Sequence, residues 1–134
     1  MFFSGTEDDT MDGKPDFENM TYEEFLKTAK MEPTVSEDCP LFQAIQMIGG
    51  KWRMPIVYQL SKKESYRFGE LVKTIRGITK TMLTTALREM EENGIVKREQ
   101  YNEIPPHVEY SLTEKGRDLF PVFFALTKWW SKYY

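Results

Sequence analysis

Five polar side chains between residues 79 and 93 have the chemistry to bind phosphates and the edges of nucleic-acid bases. They are Lys80, Thr81, Thr84, Thr85 and Arg88. Thr79 is a good N-cap, and Gly94 after Asn93 is a good stop, so the interval is predicted to be one helix. On a helical wheel the five lie on or beside one face. The opposite face is apolar at i, i+3, i+4 and i+7, with Leu83, Ala86, Leu87 and Met90.

The distribution of charge along this helix suits the major groove of DNA. Its N-terminal half is basic and rich in hydroxyls, whereas Glu89, Glu91 and Glu92 crowd its C-terminal half. A helix that enters the groove leads with its N-terminal residues, where its positive dipole end meets phosphates. An ordinary amphipathic surface helix has the same pattern, so the flanking segments must decide between the two interpretations.

The segments before this helix predict a helical body. An apolar helix begins at Pro40 and ends at Gly49-Gly50, and a second one covers about 51–61. A short strand at 66–68 leads into a third helix, which buries Leu71, Val72 and Ile75. A glycine-containing turn at 76–78 then joins that helix to the polar one. Two short helices joined in this way are typical of a helix-turn-helix.

The segments after the helix predict a β-hairpin. Residues 95–101 and 107–112 are strand-like, and Val108, Tyr110 and Leu112 alternate with polar residues. The stiff tip between them is residues 102–106. A hairpin directly after such a helix is a wing, so the predicted fold is mainly α with a small β-hairpin, a winged helix-turn-helix. The wing adds three candidate DNA contacts to Thr79 and the five helix residues: Lys97, Arg98 and His107.

The C-terminal segment, about 114–133, is predicted to be a helix capped by Thr113. Its apolar stripe consists of Leu119, Val122, Phe123, Leu126, Trp129, Trp130 and Tyr133, while Phe120 and Phe124 face elsewhere. Apolar residues on two faces require two burial partners. One is the domain itself, and the other is most simply a second copy of the chain, which predicts a homodimer. Burial within one domain, or a cavity for an aromatic ligand, would also account for the pattern.

The N-terminal arm, residues 1–38, differs from the domain predicted for 39–134. Residues 1–40 carry 11 acids and 3 bases, and the rest carries 10 acids and 15 bases, so the net charge of −3 conceals a basic body. The first 13 residues have the composition of a disordered segment. A capping box at Thr21 and Glu24 predicts a short helix near 22–30.

Several classes of function are disfavoured by the composition. With one cysteine, Cys39, and one histidine, His107, the sequence allows no internal disulfide and predicts no metal site and no cofactor. It shows no nucleophile–base pair and no phosphate-binding glycine loop, so we expect no enzyme activity. The absence of a signal peptide and of a membrane-length apolar run predicts a cytoplasmic protein without membrane contact.

Short motifs from Cys39 to about Tyr133 carry a family resemblance. They are Cys39-Pro40, Ile48-Gly49-Gly50-Lys51-Trp52, Arg67-Phe68-Gly69-Glu70-Leu71, Gly77-Ile78-Thr79 through Leu83, Leu87-Arg88-Glu89-Met90-Glu91, Gly94-Ile95-Val96, Pro105-Pro106 through Thr113, and Gly116. The chain resembles the HxlR-type winged-helix transcriptional regulators of prokaryotes. The resemblance implies a homodimer on double-stranded DNA, with the 79–93 helix in the major groove and the wing near the backbone.

The resemblance also implies a sensor, because some members detect electrophiles or oxidants through a cysteine at the position of Cys39. From the residues alone, a small buried side chain is an equal alternative, since a helix N-terminus favours the thiolate and the nearby acids disfavour it. His107 stands where the family commonly has Arg or Lys, which predicts a pH-dependent wing contact. The competing hypothesis is a winged-helix module that binds protein, but such a module would present acidic or apolar faces, whereas these are basic.

Overall fold

The computed structural model describes residues 15–32 and 36–134, which fall into two compact units. One unit ends at Gln46 and the other is Met47–Tyr134, so the division comes later than the boundary predicted before Cys39. The helices α1 (Tyr22–Met31) and α2 (Pro40–Ile48) come first in the chain. The disorder predicted for the first 13 residues lies outside the described residues.

The capping box predicted for α1 has both of its hydrogen bonds. The hydroxyl of Thr21 accepts from the backbone N–H of Glu24, and the Glu24 carboxylate accepts from the backbone N–H of Thr21, each at 3.2 Å. These bonds satisfy two of the donors that a helix start leaves open, so the local sequence is sufficient to begin the helix here.

The second unit contains the remaining helices and all the described strands. They are α3 (Arg53–Leu60), β1 (Tyr66–Arg67), α4 (Phe68–Thr74), α5 (Lys80–Glu92), β2 (Val96–Tyr101), β3 (His107–Leu112), α6 (Glu114–Arg117) and α7 (Phe120–Tyr133). The strands form one antiparallel sheet in the order β1-β3-β2. Tyr66 pairs with Tyr110, and Val96 pairs with Leu112. The predicted fold class, mainly α with a small β-hairpin, is confirmed, with β1 added to the hairpin as a third strand.

The core of this unit forms around the apolar stripe of α5. Leu83, Leu87 and Met90 are almost completely buried, as the i, i+4 and i+7 spacing predicts. They pack in one cluster with side chains from α3, α4 and the sheet, among them Ile56, Leu60, Leu71, Val96 and Leu112. Each side chain of this size stabilises the fold by about 1.5–3 kcal/mol when fully buried. The packing therefore fixes one face of α5 and leaves the polar face outside.

The single helix predicted for about 114–133 is two helices in the structure. Thr113 caps the first, α6, as predicted, by accepting from the backbone N–H of Gly116 at 3.1 Å. The second, α7, has Pro121 in its first turn. A proline inside a continuous helix lacks the N–H for the i−4 carbonyl, and its ring clashes there, but both costs vanish in a first turn. The chain therefore breaks at Asp118–Leu119 and starts a new helix.

Gly116 lets α6 approach the start of β2 closely. A Cβ atom at this position would overlap the carbonyl oxygen of Ile95, which is backbone and cannot swing aside. The same carbonyl accepts from the backbone N–H of Thr113 at 3.1 Å. Helix α6 and its N-cap therefore pack against the segment that leads from α5 into the wing.

Candidate nucleic-acid interface

The turn between α4 and α5 sets the direction of the candidate recognition helix. Gly77 has a φ of +86°, a left-handed conformation that favours glycine, and it lies against the ring of Trp52. Thr79 then accepts from the backbone N–H of Met82 at 3.1 Å and caps α5. The hydroxyl oxygen thus accepts the cap hydrogen bond, and its O–H group remains able to donate to a ligand.

The polar face of α5 is exposed, as the wheel predicts. Lys80, Thr81, Thr84, Thr85 and Arg88 are all open to solvent. The Thr84 hydroxyl donates to the Lys80 carbonyl at 2.8 Å, which leaves only its oxygen lone pairs for a ligand. The first turn contains no acid, so its backbone N–H groups and Lys80 present positive charge together. The structure thus brings the five predicted residues onto one accessible basic surface.

Arg53 holds the C-terminal half of α5 in place, and no motif or spacing predicts this contact. One guanidinium nitrogen of Arg53 lies 2.6 Å from the Glu89 carboxylate, and the other donates to the Met47 carbonyl at 3.0 Å. The two ion-pair partners are 36 positions apart, so no helical or strand period joins them. Arg53 also neutralises one of the three acids on α5, which lowers the repulsion of a nearby phosphate.

The wing presents its two basic residues in different directions. Lys97 and Arg98 are both exposed on β2, and neighbouring strand residues point to opposite faces of a sheet. The Lys97 amino group lies 3.8 Å from the Glu99 carboxylate, too far for a hydrogen bond. Lys97 and Arg98 therefore extend from opposite faces of the hairpin, and both are accessible to solvent.

His107 is enclosed by other side chains of the wing. Its ring stacks on Tyr101 with centroids 4.9 Å apart, Nε2 lies 2.8 Å from a Glu109 oxygen, and Nδ1 lies 3.7 Å from Glu103. Only 13% of the side chain is exposed. A charge on His107 would be shared with two carboxylates rather than presented to a phosphate. The predicted phosphate contact by His107 therefore needs a rearranged wing, and the geometry favours a role in holding the hairpin.

Glu109 links the wing to the segment before β1. It accepts from the Ser65 hydroxyl on one side and lies against His107 on the other. The hydrogen bond from Ser65, followed by the one from His107, lowers the pKa of Glu109 below its ordinary value of 4.5, although burial opposes the shift. A lowered pKa in the folded state stabilises the fold above the unfolded value, and this stabilisation is lost as the pH falls below about 4.5.

The Ser65–Glu109 contact gives a pH-dependent stability prediction. We expect Ser65→Ala to lower the free energy of unfolding at pH 7, and to lower it by less at an acidic pH that is low enough to protonate Glu109. Urea unfolding at the two pH values measures the difference. Ser61→Ala is the control, because the Ser61 hydroxyl donates to the Tyr58 carbonyl, which does not titrate. An equal loss at both pH values for Ser65→Ala would contradict this role of Glu109.

The apolar stripe predicted for dimerisation has two environments in the structure. Leu119 and Phe123 are partly buried and pack against the core of the second unit. The other members remain exposed, and they are Val122, Leu126, Trp129, Trp130 and Tyr133. Two residues of the stripe therefore pack against the core of their own domain, and the other five leave large apolar side chains exposed to solvent.

The structure places Cys39 just before α2, where it is buried with 8% of its surface exposed. Its carbonyl accepts from the backbone N–H of Gln43 at 3.0 Å, as expected at a helix start. Within the described ranges, no group of three or more His, Cys, Asp or Glu side chains could hold a metal ion. In the same residues, no helix has the length and apolar character needed to cross a membrane.

Helices α4 and α5 with their glycine turn, followed by the β2–β3 hairpin, define a winged helix-turn-helix protein of the kind that binds DNA in transcription regulation. Residues 47–134 match the model of the HxlR-like helix-turn-helix family, and the chain belongs to that family. The resemblance noted from the motifs is thereby confirmed. Cys39 lies before the matched residues, so the match itself does not include it.

Relatives and solved structures agree with this assignment. The chain is 43% identical over 93 residues to the HTH-type transcriptional regulator BH0655 of Halalkalibacterium halodurans, covering 69% of this chain and 82% of the relative. It is 45% identical over 97 residues to YdeP of Bacillus subtilis, covering 72% and 75%. Among solved structures it is similar to the redox regulator HypR in its reduced form, with 41% identity, a TM-score of 0.65 and coverage of 70% and 92%.

Proposed function

We propose that this protein is a sequence-specific transcriptional regulator that binds double-stranded DNA as a homodimer in the cytoplasm. The observation that carries the proposal is the exposed basic and hydroxyl-rich face at the start of α5, held outward by the buried stripe on its other side. An arginine can donate two parallel hydrogen bonds to a base edge, and hydroxyl side chains can also hydrogen-bond base edges, whereas a lysine is suited to binding phosphates. The family membership adds support, because the relatives are named as transcriptional regulators.

A protein-interaction module is the alternative of a different class. It would require an apolar or acidic surface on α5 and the wing, whereas the exposed face of α5 begins with Lys80 and contains Arg88. Selection of genomic fragments with the purified protein separates the two functions. We expect enrichment of one motif with two half-sites about 34–36 Å apart, or a multiple of that spacing. Recovery of fragments without a common motif would favour the interaction module.

The homodimer is supported by the exposed apolar side chains of α7. Val122 and Tyr133 leave 44% and 61% of their surfaces exposed, on a helix with no buried residue. We expect sedimentation to give a dimer, and Tyr133→Glu to weaken association about tenfold or more, since a desolvated charge is costly. Lys128→Glu, a change elsewhere on α7, should leave association nearly unchanged. A wild-type monomer at all concentrations would contradict the dimer.

We further propose that small electrophiles or oxidants act through Cys39. HypR is described as a redox regulator and has been solved in reduced and oxidised forms, which supports the idea by similarity. Because the sequence has one cysteine, the product of the reaction must be a Cys39–Cys39 bond between two chains, a mixed disulfide or an adduct. The thiol is buried, so its reaction requires a local opening of the start of α2.

Treatment with diamide tests the role of Cys39. We expect diamide to change operator affinity several-fold in the wild type, and Cys39→Ser to remove that change. Cys39→Ala is the matched packing control. Like Cys39→Ser it removes the thiol, but it does not introduce a hydroxyl. Identical affinities with and without diamide would make Cys39 a packing residue, without affecting the DNA-binding proposal.

A further inference from the structure

A cavity of about 990 Å³ lies at the base of the wing, within the range of roughly 300–1,000 Å³ that small-molecule sites occupy. It is lined by the end of α3, the turn into β1, the start of β2, the end of β3, α6 and the first residue of α7. No residue of α5 lines it, and neither does any residue of the apolar stripe assigned to the homodimer contact. The cavity is therefore separate from the candidate recognition face, and the proposed dimer contact does not involve it.

Positive charge predominates in the lining of this cavity. The cations are Lys63, Lys97 and Arg117, and the acid is Glu64. The Lys63 amino group already donates to the Glu70 carboxylate at 2.7 Å, so it is the least available of the three. The excess of cations indicates an anionic ligand, with Lys97 and Arg117 as its main charged partners.

Both of these cations retain capacity to donate hydrogen bonds. The Lys97 amino group is 3.8 Å from the Glu99 carboxylate, which is beyond hydrogen-bond distance. One Arg117 nitrogen donates to the Leu112 carbonyl at 2.9 Å. A guanidinium has five N–H groups, so this bond orients the Arg117 side chain and leaves donors for a ligand.

Ser111 adds a hydroxyl on the same face of the hairpin as Lys97. The two residues are directly opposite each other in the β2–β3 ladder, so their side chains extend from one face and are close neighbours. The Ser111 side chain is partly buried, and its hydroxyl forms no hydrogen bond to any described residue. Polar groups in such positions normally have a partner, so this hydroxyl is available to bind the ligand.

We propose that this cavity binds a small organic phosphate. Lys97, Arg117 and Ser111 donate hydrogen bonds to its phosphate group, and its organic part lies against Phe120 and Leu112, which are apolar members of the lining. The three donors come from β2, α6 and β3, so they approach from separate directions. This arrangement suits the three terminal oxygens and double charge of a phosphate better than a planar carboxylate with two oxygens.

The ligand connects the hairpin to α6 where the wing joins the rest of the unit. Arg117 already links the two through the Leu112 carbonyl, and a phosphate shared by Lys97 and Arg117 adds a second link. An effect of the ligand on operator affinity rests on the proposed DNA-binding function, whereas the binding of the phosphate does not.

Phenyl phosphate is a suitable probe, because it combines a phosphate group with a small apolar ring. Inorganic phosphate and phenol are its matched controls, since each has one of the two parts. In an NMR titration of the full chain, without DNA and at constant ionic strength, we expect one saturable site with its largest shifts at the amides of Lys97, Ser111 and Arg117. Phenyl phosphate should bind about threefold more tightly than inorganic phosphate, and phenol should not saturate the site.

Variants of the donors locate the site. Lys97→Gln should weaken phenyl phosphate about fivefold, and Ser111→Ala about threefold, with unchanged melting temperatures because neither side chain forms a hydrogen bond to the described residues. Arg98→Gln is the matched control for Lys97→Gln. Arg98 is the next residue of β2 and has the same charge, but it extends from the opposite face and does not line the cavity, so its loss should change the affinity little.

Equal effects of Lys97→Gln and Arg98→Gln would overturn the proposal, because the probe would then respond to the overall charge of the wing. Absence of a saturable site in the wild-type chain would also overturn it. If that absence is accompanied by a lower salt dependence of DNA binding in Lys97→Gln, the occupant is a DNA phosphate instead. The titrations contain no DNA, so their failure is distinct from a failure to bind operator.

Discussion

Arg88→Ala is expected to weaken operator binding by about 1–3 kcal/mol for each half-site and to relax specificity at one base position in each. Arg88 is exposed on the same face as Thr81, Thr84 and Thr85, within the first two and a half turns of α5. A guanidinium there can donate two hydrogen bonds to a guanine edge, and alanine can donate none. Because a homodimer contains two such helices, the total loss can reach twice the value for one half-site.

Lys80→Ala serves as the contrasting variant. Lys80 is at the first position of α5, beside the open N–H groups of the helix start, where a phosphate is the expected partner. Its loss should weaken matched and scrambled DNA alike and lower the salt dependence by about one unit per contact. Binding of both variants to matched and scrambled operators at two salt concentrations distinguishes the roles. If neither change affects any DNA, α5 is not the recognition helix.

Gly116→Ala is expected to destabilise the fold by about 1–3 kcal/mol, without any effect through DNA contacts. The added methyl group would overlap the Ile95 carbonyl, so α6 would have to move away from the start of β2. That movement also strains the bond from Thr113 to the same carbonyl and the one from Arg117 to the Leu112 carbonyl at 2.9 Å. Chemical denaturation with an unchanged m-value measures the loss.

Gly69→Ala is the matched control for this prediction. Gly69 lies in α4 with nothing near the added methyl group and with an ordinary φ, so alanine should be neutral or stabilising by up to about 1 kcal/mol. If both glycine variants have the same stability, the contact between α6 and β2 is looser than the structure indicates.

Helix α5 and the hairpin were predictable because local rules determine them. The stripe of Leu83, Leu87 and Met90, the Thr79 cap and the strand alternation each depend on residues within one or two turns of one another. The break before α7 could also have been predicted, since Pro121 is present in the sequence. The apolar spacing, on which the single-helix prediction depended, continues across the break and does not reveal it.

The environment of the candidate site was not predictable in the same way. The pairing of β1 with β3 brings Ser65 beside Glu109, 44 positions later in the chain. The ion pair between Arg53 and Glu89 joins two helices whose separation no sequence period encodes. Such contacts depend on the register and packing of the whole unit, which a single sequence does not specify.

The position of β2 in the sheet has a consequence for how the protein behaves when concentrated. With the order β1-β3-β2, one edge of β2 has no strand beside it in the described part of the chain. An open edge is a template on which another copy can polymerise. Here the strand exposes Lys97, Arg98 and Glu99 in succession, and an approaching identical strand would have to desolvate all three charges. These charges thus oppose edge-to-edge association of two wings, and this protection would be lost if they were replaced by apolar residues.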